Sequence, residues 1–223
     1  MIISALVIYS RLGSRRLPQK ALKSLGSYSL LEFIILRLKP LEEALDTKII
    51  IATTDKKEDE SIVKIAKKHD VSYFRGDENN VVKRTFDLIN YFDIEYFCRV
   101  NGDCPFVDQE LIIAGYEELI KGKEFVSNII ERTYPYGVAV EWVNSKMYIE
   151  FVDDIESQEK EHVTKHLYRN LDRIEFKSMI SKTDLSMHSL TVDTYEDLSK
   201  INTMLDNYST TEQKLINYKQ LTK

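Results

Sequence analysis

Through the first 130 residues, apolar and polar positions form alternating blocks of two kinds. Short runs rich in Ile, Val and aromatic residues, at 2–8, 48–53, 71–75, 96–100 and 124–127, have the length and composition of strands. The longer stretches between them, near 29–44, 58–69, 80–91 and 108–121, space their apolar residues at helical intervals. Strands alternating with helices of this length require right-handed crossovers, so the predicted class is α/β with a mostly parallel, doubly wound sheet. Beyond residue 130 the rhythm changes. Residues 132–142 alternate around Pro135 and Gly137 like two hairpin strands, a helix is predicted near 158–170, and short strands near 173–179 and 187–192. The tail from Thr194 reads as helical and largely polar. Only 7 Gly and 4 Pro punctuate the chain, so residues 1–223 read as one domain with a hairpin excursion over about 130–180.

Composition adds limits. A chain of 223 residues, 43% hydrophobic and 30% charged, can build one sizeable core and shows no bias toward disorder. No apolar run approaches the roughly 18 residues that span a bilayer, and no cationic leader precedes the first strand, so a cytoplasmic protein without a membrane partner is expected. Cys98 and Cys104, the only cysteines, suggest neither a disulfide framework nor a zinc site.

Charge changes the picture at one place. The chain is acidic overall, at −5, yet residues 1–31 hold five Lys or Arg and no Asp or Glu. Arg11, Arg15, Arg16 and Lys20 follow directly on the first strand. A local positive field in an acidic chain suits a small polyanion, because nucleic acid binding usually marks a whole face. Gly13 tolerates the dihedrals of a nest of backbone N–H groups. The competing reading is a solvated charge run beside an edge strand. The spacing is neither that of a Walker loop nor that of a dinucleotide fingerprint.

Ligands of open α/β sheets bind beyond the carboxyl ends of the strands. That rule selects residues 10–20, Thr53 to Asp55, Arg75 to Asp77, Asn101 to Pro105, and Asp193. Asp103, between Gly102 and Pro105, is either a Mg²⁺ ligand or a turn aspartate satisfying nearby N–H groups. His162 and His166 fall at i, i+4 of the predicted helix, but no third zinc ligand accompanies them. Arg75 and Arg84 are open between substrate contact and surface ion pairs. Residues 134–137, with Glu141, either border a substrate or pack.

The ordered motifs Ser10-Arg-Leu-Gly-Ser-Arg-Arg-Leu-Pro-Gln-Lys20, Ile51-Ala-Thr-Thr-Asp55, Phe74-Arg-Gly-Asp77, Arg99-Val-Asn-Gly-Asp-Cys-Pro105, Glu161-His-Val-Thr164 and Thr191-Val-Asp-Thr-Tyr-Glu-Asp-Leu198 resemble the cytidylyltransferase family. That family includes synthetases of CMP-linked acidic sugars and spore-coat polysaccharide cytidylyltransferase-like proteins. The resemblance implies a fold like that of the nucleotide-diphospho-sugar transferases and a Mg²⁺-dependent coupling of CTP to a sugar, an acidic ulosonic sugar above all. It implies that Arg11 and Lys20 hold the triphosphate with backbone N–H groups from Leu12, Gly13 and Ser14, and that Asp103 and Asp193 hold the metal. It places Asn101 near the ribose, Ala52 and Thr53 near the base, and Glu161 and His162 in the sugar pocket. Arg75, Tyr136 and Glu141 join the expected substrate contacts, and a homodimer is expected through the hairpin excursion. Gln19 stands where relatives carry glycine, and Tyr195 where they carry proline. A nucleotide-sugar-dependent glycosyltransferase competes, but the chain has no Asp-x-Asp motif. A catalytically silent binding subunit also competes, and the joint presence of Arg11, Lys20, Asp103 and Asp193 argues against it.

Overall fold

The computed structural model describes residues 2–152 and 155–222. Its first strand, β1 (Ile2–Tyr9), is buried on both faces. Leu6 and Ile8 enter one apolar cluster while Ala5 and Val7 enter the other, as a period of two dictates. β4 (Lys48–Thr54) and β5 (Ser72–Gly76) extend the sheet in parallel on one side of β1, and β6 (Ile94–Asn101) pairs in parallel on the other. Winding therefore reverses between β1 and β6, opening a crevice at their carboxyl ends. β8 (Glu141–Asn144) runs antiparallel between β6 and β7 (Phe125–Ser127), and β9 (Phe176–Ser178) closes the order β5-β4-β1-β6-β8-β7-β9. The sheet is mixed but mostly parallel, as predicted.

Helices cover both faces. α1 (Leu30–Leu38), α3 (Glu60–Lys68), α5 (Gln109–Ile120) and α8 (Tyr195–Leu205) pack on the Leu6 face, whereas α4 (Val81–Phe92), α6 (Ser145–Glu150) and α7 (Lys165–Arg169) pack on the Val7 face. The single helix predicted near 29–44 is two, because α2 (Pro40–Ala44) begins at a proline that can neither donate to α1 nor clear its preceding turn. A small hairpin of β2 (Ser24–Leu25) and β3 (Tyr28–Ser29) precedes α1 and was not legible in the pattern. The tail ends in α9 (Thr210–Gln213) and α10 (Tyr218–Leu221). Among the described residues, no helix is long and apolar enough to cross a membrane.

The second half corrects three expectations. Residues 132–140 form no hairpin. Asn128 takes the place of a partner strand, its amide donating to Val138 O at 2.7 Å and accepting from Val140 N at 2.9 Å. Tyr136 makes one parallel bridge to Ser189, which is also all that remains of the strand expected near 187–192. Gly137, at φ 91°, passes so close to Leu190 and Thr191 that a Cβ would lie 2.6 Å from backbone. The helix expected near 158–170 shrinks to α7. The Lys160 carbonyl turns away to accept from Val81 N and Val82 N at 2.7 and 3.2 Å, satisfying the first turn of α4. His162 therefore lies outside α7 and shares no helical face with His166.

Candidate active site

Where β1 ends, Ser10 N donates to Ala52 O at 3.2 Å and Gly102 N donates to Tyr9 O at 2.9 Å, fixing three strand ends together. The loop beyond is tied down by Asp59, a carboxylate 1% exposed. One of its oxygens accepts from Leu12 N at 2.8 Å, and the other from Thr53 Oγ1 at 3.1 Å, Thr54 N at 3.2 Å and the Thr54 hydroxyl. Ser14 N is turned inward to Leu12 O at 2.8 Å. Two of the three N–H groups expected to cradle phosphate are thus already taken, Leu12 N by Asp59 and Ser14 N within the loop. Gly13 N, with Arg15 N and Arg16 N, is left without an acceptor among the described residues. The left-handed position is Gln19, at φ 54°, rather than Gly13, which explains why glycine suits the residue before the lysine. A single 3₁₀ turn, Lys20–Leu22, then delivers Lys20 to the crevice.

Asp103 arrives from β6 through Gly102, where a Cβ would sit 2.6 Å from Tyr9 O. Val192 N donates to Asp103 O at 2.9 Å and so brings in Asp193, just ahead of α8, whose first turn is closed by a Thr194–Asp197 capping box. Lys20 Nζ donates to Asp103 Oδ2 at 3.0 Å and to Asp193 Oδ1 at 2.9 Å, and Arg16 pairs with Asp193 Oδ2 at 3.1 Å. Burial alone would lower the Lys20 pKa, but the two carboxylates outweigh it and raise the pKa above 10.5. Two hard carboxylate oxygens already converge on one cationic atom. They fit Mg²⁺, which takes a few carboxylates and completes its shell with water and phosphate oxygens.

These groups line a cleft of ≈ 690 Å³. Arg11, Gly13, Ser14, Asn101 and Glu161 face it, and Arg11 Nη1 donates to Glu78 O at 3.2 Å across its rim. The floor holds Tyr9, Arg84 and Arg99. Arg99 and Tyr9 were missed in the sequence, where the only signal was an arginine inside an otherwise apolar strand. Tyr9 donates to or accepts from Thr85 Oγ1 at 3.0 Å, and burial pushes its phenol up to about 12.

Other expected contacts lie elsewhere. Ala52 and Thr53 are buried behind the loop, where they hold Ser10 and Asp59. Arg75 spends its guanidinium on Thr54 O, Lys56 O and Glu60, bracing the β4 and β5 ends. Tyr136 is half-exposed beneath the Arg132 guanidinium, 4.1 Å from its ring centroid, and like His162 it is not among the residues lining the cleft. Glu141 is buried under the floor in an ion pair with Arg99.

Comparisons with known proteins show the family and the fold. The chain is 31% identical over 204 residues to the spore coat polysaccharide biosynthesis protein SpsF of Bacillus subtilis, covering 87% of this chain and 83% of that protein. A cytidylyltransferase from Leptospira borgpetersenii superposes with a TM-score of 0.90 at 26% identity, over 99% of this chain and 92% of the other. A CMP:2-keto-3-deoxy-manno-octonic acid synthetase complexed with CTP shares the fold, at TM-score 0.66 and 13% identity over 92% of this chain and 99% of the other. The cytidylyltransferase family model matches from residue 5 to residue 222, loop, carboxylates and capped α8 included. This chain belongs to the cytidylyltransferase family and is a nucleotidyltransferase.

Proposed function

We propose that the chain couples CTP to a hydroxyl of an acidic ulosonic sugar, giving a CMP-sugar and pyrophosphate for surface polysaccharide synthesis. The observation that carries this reading is the convergence of Asp103 and Asp193 on Lys20 Nζ beside a cationic loop at the winding reversal. The name of the Bacillus relative supports the polysaccharide context, and the CTP complex of a protein sharing the fold supports the nucleotide.

In this reaction the sugar oxygen bonds to the α-phosphorus, the bridging oxygen to the β-phosphate departs with pyrophosphate, and the hydroxyl proton is lost to solvent. Alignment and charge neutralisation suffice, and no covalent nucleophile is needed. Arg11, Lys20 and the free N–H groups of Gly13, Arg15 and Arg16 bind the phosphates and stabilise the charge that accumulates on the leaving pyrophosphate. Asp103 and Asp193 would hold Mg²⁺, which when bound would polarise the α-phosphate and neutralise its charge. Asn101 faces the same cleft beside Asp103 and contacts the nucleotide. Glu161, also facing it, contacts the sugar. The enzyme works as a homodimer, and exposed Tyr136, Ile180 and Met187 supply apolar surface for it.

The test is pyrophosphate release with each nucleoside triphosphate and Mg²⁺ against a panel of sugar acids. Release with CTP is expected. Release with GTP or UTP only overturns the cytidylyl assignment, and none at all favours a silent binding subunit. Asp103→Ala is expected to lower turnover about 10²–10³-fold while the chain stays folded, and near-normal turnover would remove Asp103 from the metal site.

A further inference from the structure

One guanidinium in the cleft is held in a way that phosphate binding at the loop does not account for. Arg99 lies on β6 opposite Glu141 of β8, on the strand face it shares with Asn101. Its Nη1 donates to the Glu141 carboxylate and to Thr164 Oγ1 at 3.2 Å. Its Nε is buried with no acceptor among the described residues. Nη2 donates to no described residue and is not buried, and the side chain lines the cleft. Nε is thus a desolvated donor left unused, at a cost in free energy, while Nη2 stays open to an acceptor in the cleft.

Glu141 is not that acceptor's neighbour. It is 1% exposed, and its second oxygen accepts from Thr164 Oγ1 at 2.6 Å and Tyr168 OH at 2.7 Å. Every contact it makes points away from a ligand, so its effect is to hold Arg99 in one orientation. Elsewhere on the floor, Arg84 is 3% exposed, donates to Asp77 O at 2.9 Å, leaves its Nε without an acceptor and makes no ion pair among the described residues. Arg99 and Glu141 pair with each other, and Arg84 adds a second guanidinium to the floor. Arg99 lies within β6, two residues before the strand ends at Asn101, whereas Asp103 follows in the turn beyond it.

We propose that Arg99 selects the acceptor by donating from Nη2 to its carboxylate, with Glu141 as the positioning residue that aims it. The proposal rests on the cytidylyl-transfer reading above, which it deepens by naming the group that reads the sugar's acidity. Arginine is suited to this task because its donors are planar, always charged and weakly hydrated.

The experiment is calorimetric titration of the full chain with CDP and Mg²⁺ present, using N-acetylneuraminate and 3-deoxy-D-manno-octulosonate as probes and N-acetylmannosamine as the neutral control. CTP is titrated separately. At least one acid is expected to bind, and Arg99→Gln to weaken it about 10- to 100-fold with CTP affinity changed less than about twofold. Arg99→Lys keeps the charge without the fork and is expected to fall between the two, which keeps the result readable if Arg99→Gln folds poorly. Glu141→Gln is expected to raise KM for the acid about tenfold with kcat changed less than about threefold, and to add nothing to Arg99→Gln in the double variant. A merely structural Glu141 would instead lower CTP and acid binding together. That result, tight binding of the neutral sugar, loss of CTP affinity in Arg99→Gln, or no acid bound by the wild type each overturns the proposal. Pyrophosphate release on a neutral sugar would remove the carboxylate seat and leave cytidylyl transfer standing. Arg99-dependent acid binding without pyrophosphate release from any triphosphate would do the reverse.

Discussion

Asp59 shows how a residue far from the reacting atoms can set the geometry of the loop that meets them. Four donors, the N–H groups of Leu12 and Thr54 and the hydroxyls of Thr53 and Thr54, converge on one carboxylate that water does not reach. Asp59→Ala leaves them unpaired and is expected to cost about 2–3 kcal/mol, seen as a lower urea midpoint, together with a raised KM for CTP as Leu12 is released. Unchanged stability and KM would refute this role. The sequence offered no hint of Asp59, because an acidic residue at the start of a helix looks like an ordinary dipole partner. Lys20, Asp103 and Asp193 were legible, since each follows a readable strand or precedes a readable cap. Thr53 and Arg75 stand at equally suggestive places, yet their side chains are spent on the scaffold, a distinction that depends on which direction each one faces.

Element boundaries follow the same division between local and distant causes. α1 begins where the sequence writes a capping box, with Ser29 Oγ accepting from Glu32 N and the Glu32 carboxylate accepting from Ser29 N. That carboxylate also takes Lys68 of α3 at 2.7 Å and His69, just past the end of that helix, at 3.0 Å. Burial would raise its pKa, but these partners more than offset that and hold it down to about 2 from an ordinary 4.5. Between those values the unfolded chain binds the extra proton, so the stability Glu32 contributes is full above 4.5 and is lost as pH falls toward 2. Glu32→Gln is therefore expected to melt below the wild type at neutral pH, with the gap closing across that window. A gap that stays constant in melts taken through the window contradicts it. By contrast, the absence of strands at 132–140 was set by Asn128, whose amide supplies the partners that a second strand would otherwise supply. Alternating side chains could not reveal a competitor from another segment.

At the scale of the whole molecule, Arg37 joins parts of the chain that are distant in sequence. It is 3% exposed, with Nε donating to Val107 O at 2.6 Å and Nη1 to Lys214 O at 3.0 Å, while its own carbonyl accepts from Gln109. Burial lowers its pKa to about 10, against the pull of Asp108. Arg37→Met keeps the apolar stem and removes both donated bonds. A loss of about 3 kcal/mol is expected, read as a single urea transition with a lower midpoint and unchanged slope. A separate early transition of the tail would show instead that α8 to α10 fold apart from the sheet. The sequence by itself determined the strand and helix alternation, the parallel α/β class, the cationic loop and the two acidic positions that follow or precede ordered elements, because each is written in local periodicity or local charge. Only the tertiary structure decided that Lys20 joins Asp103 to Asp193, that Glu141 sits beneath the cleft holding Arg99, and that the 130–190 segment folds without its hairpin. Those outcomes depend on which buried donor finds which acceptor across the chain, and no local pattern encodes such pairings.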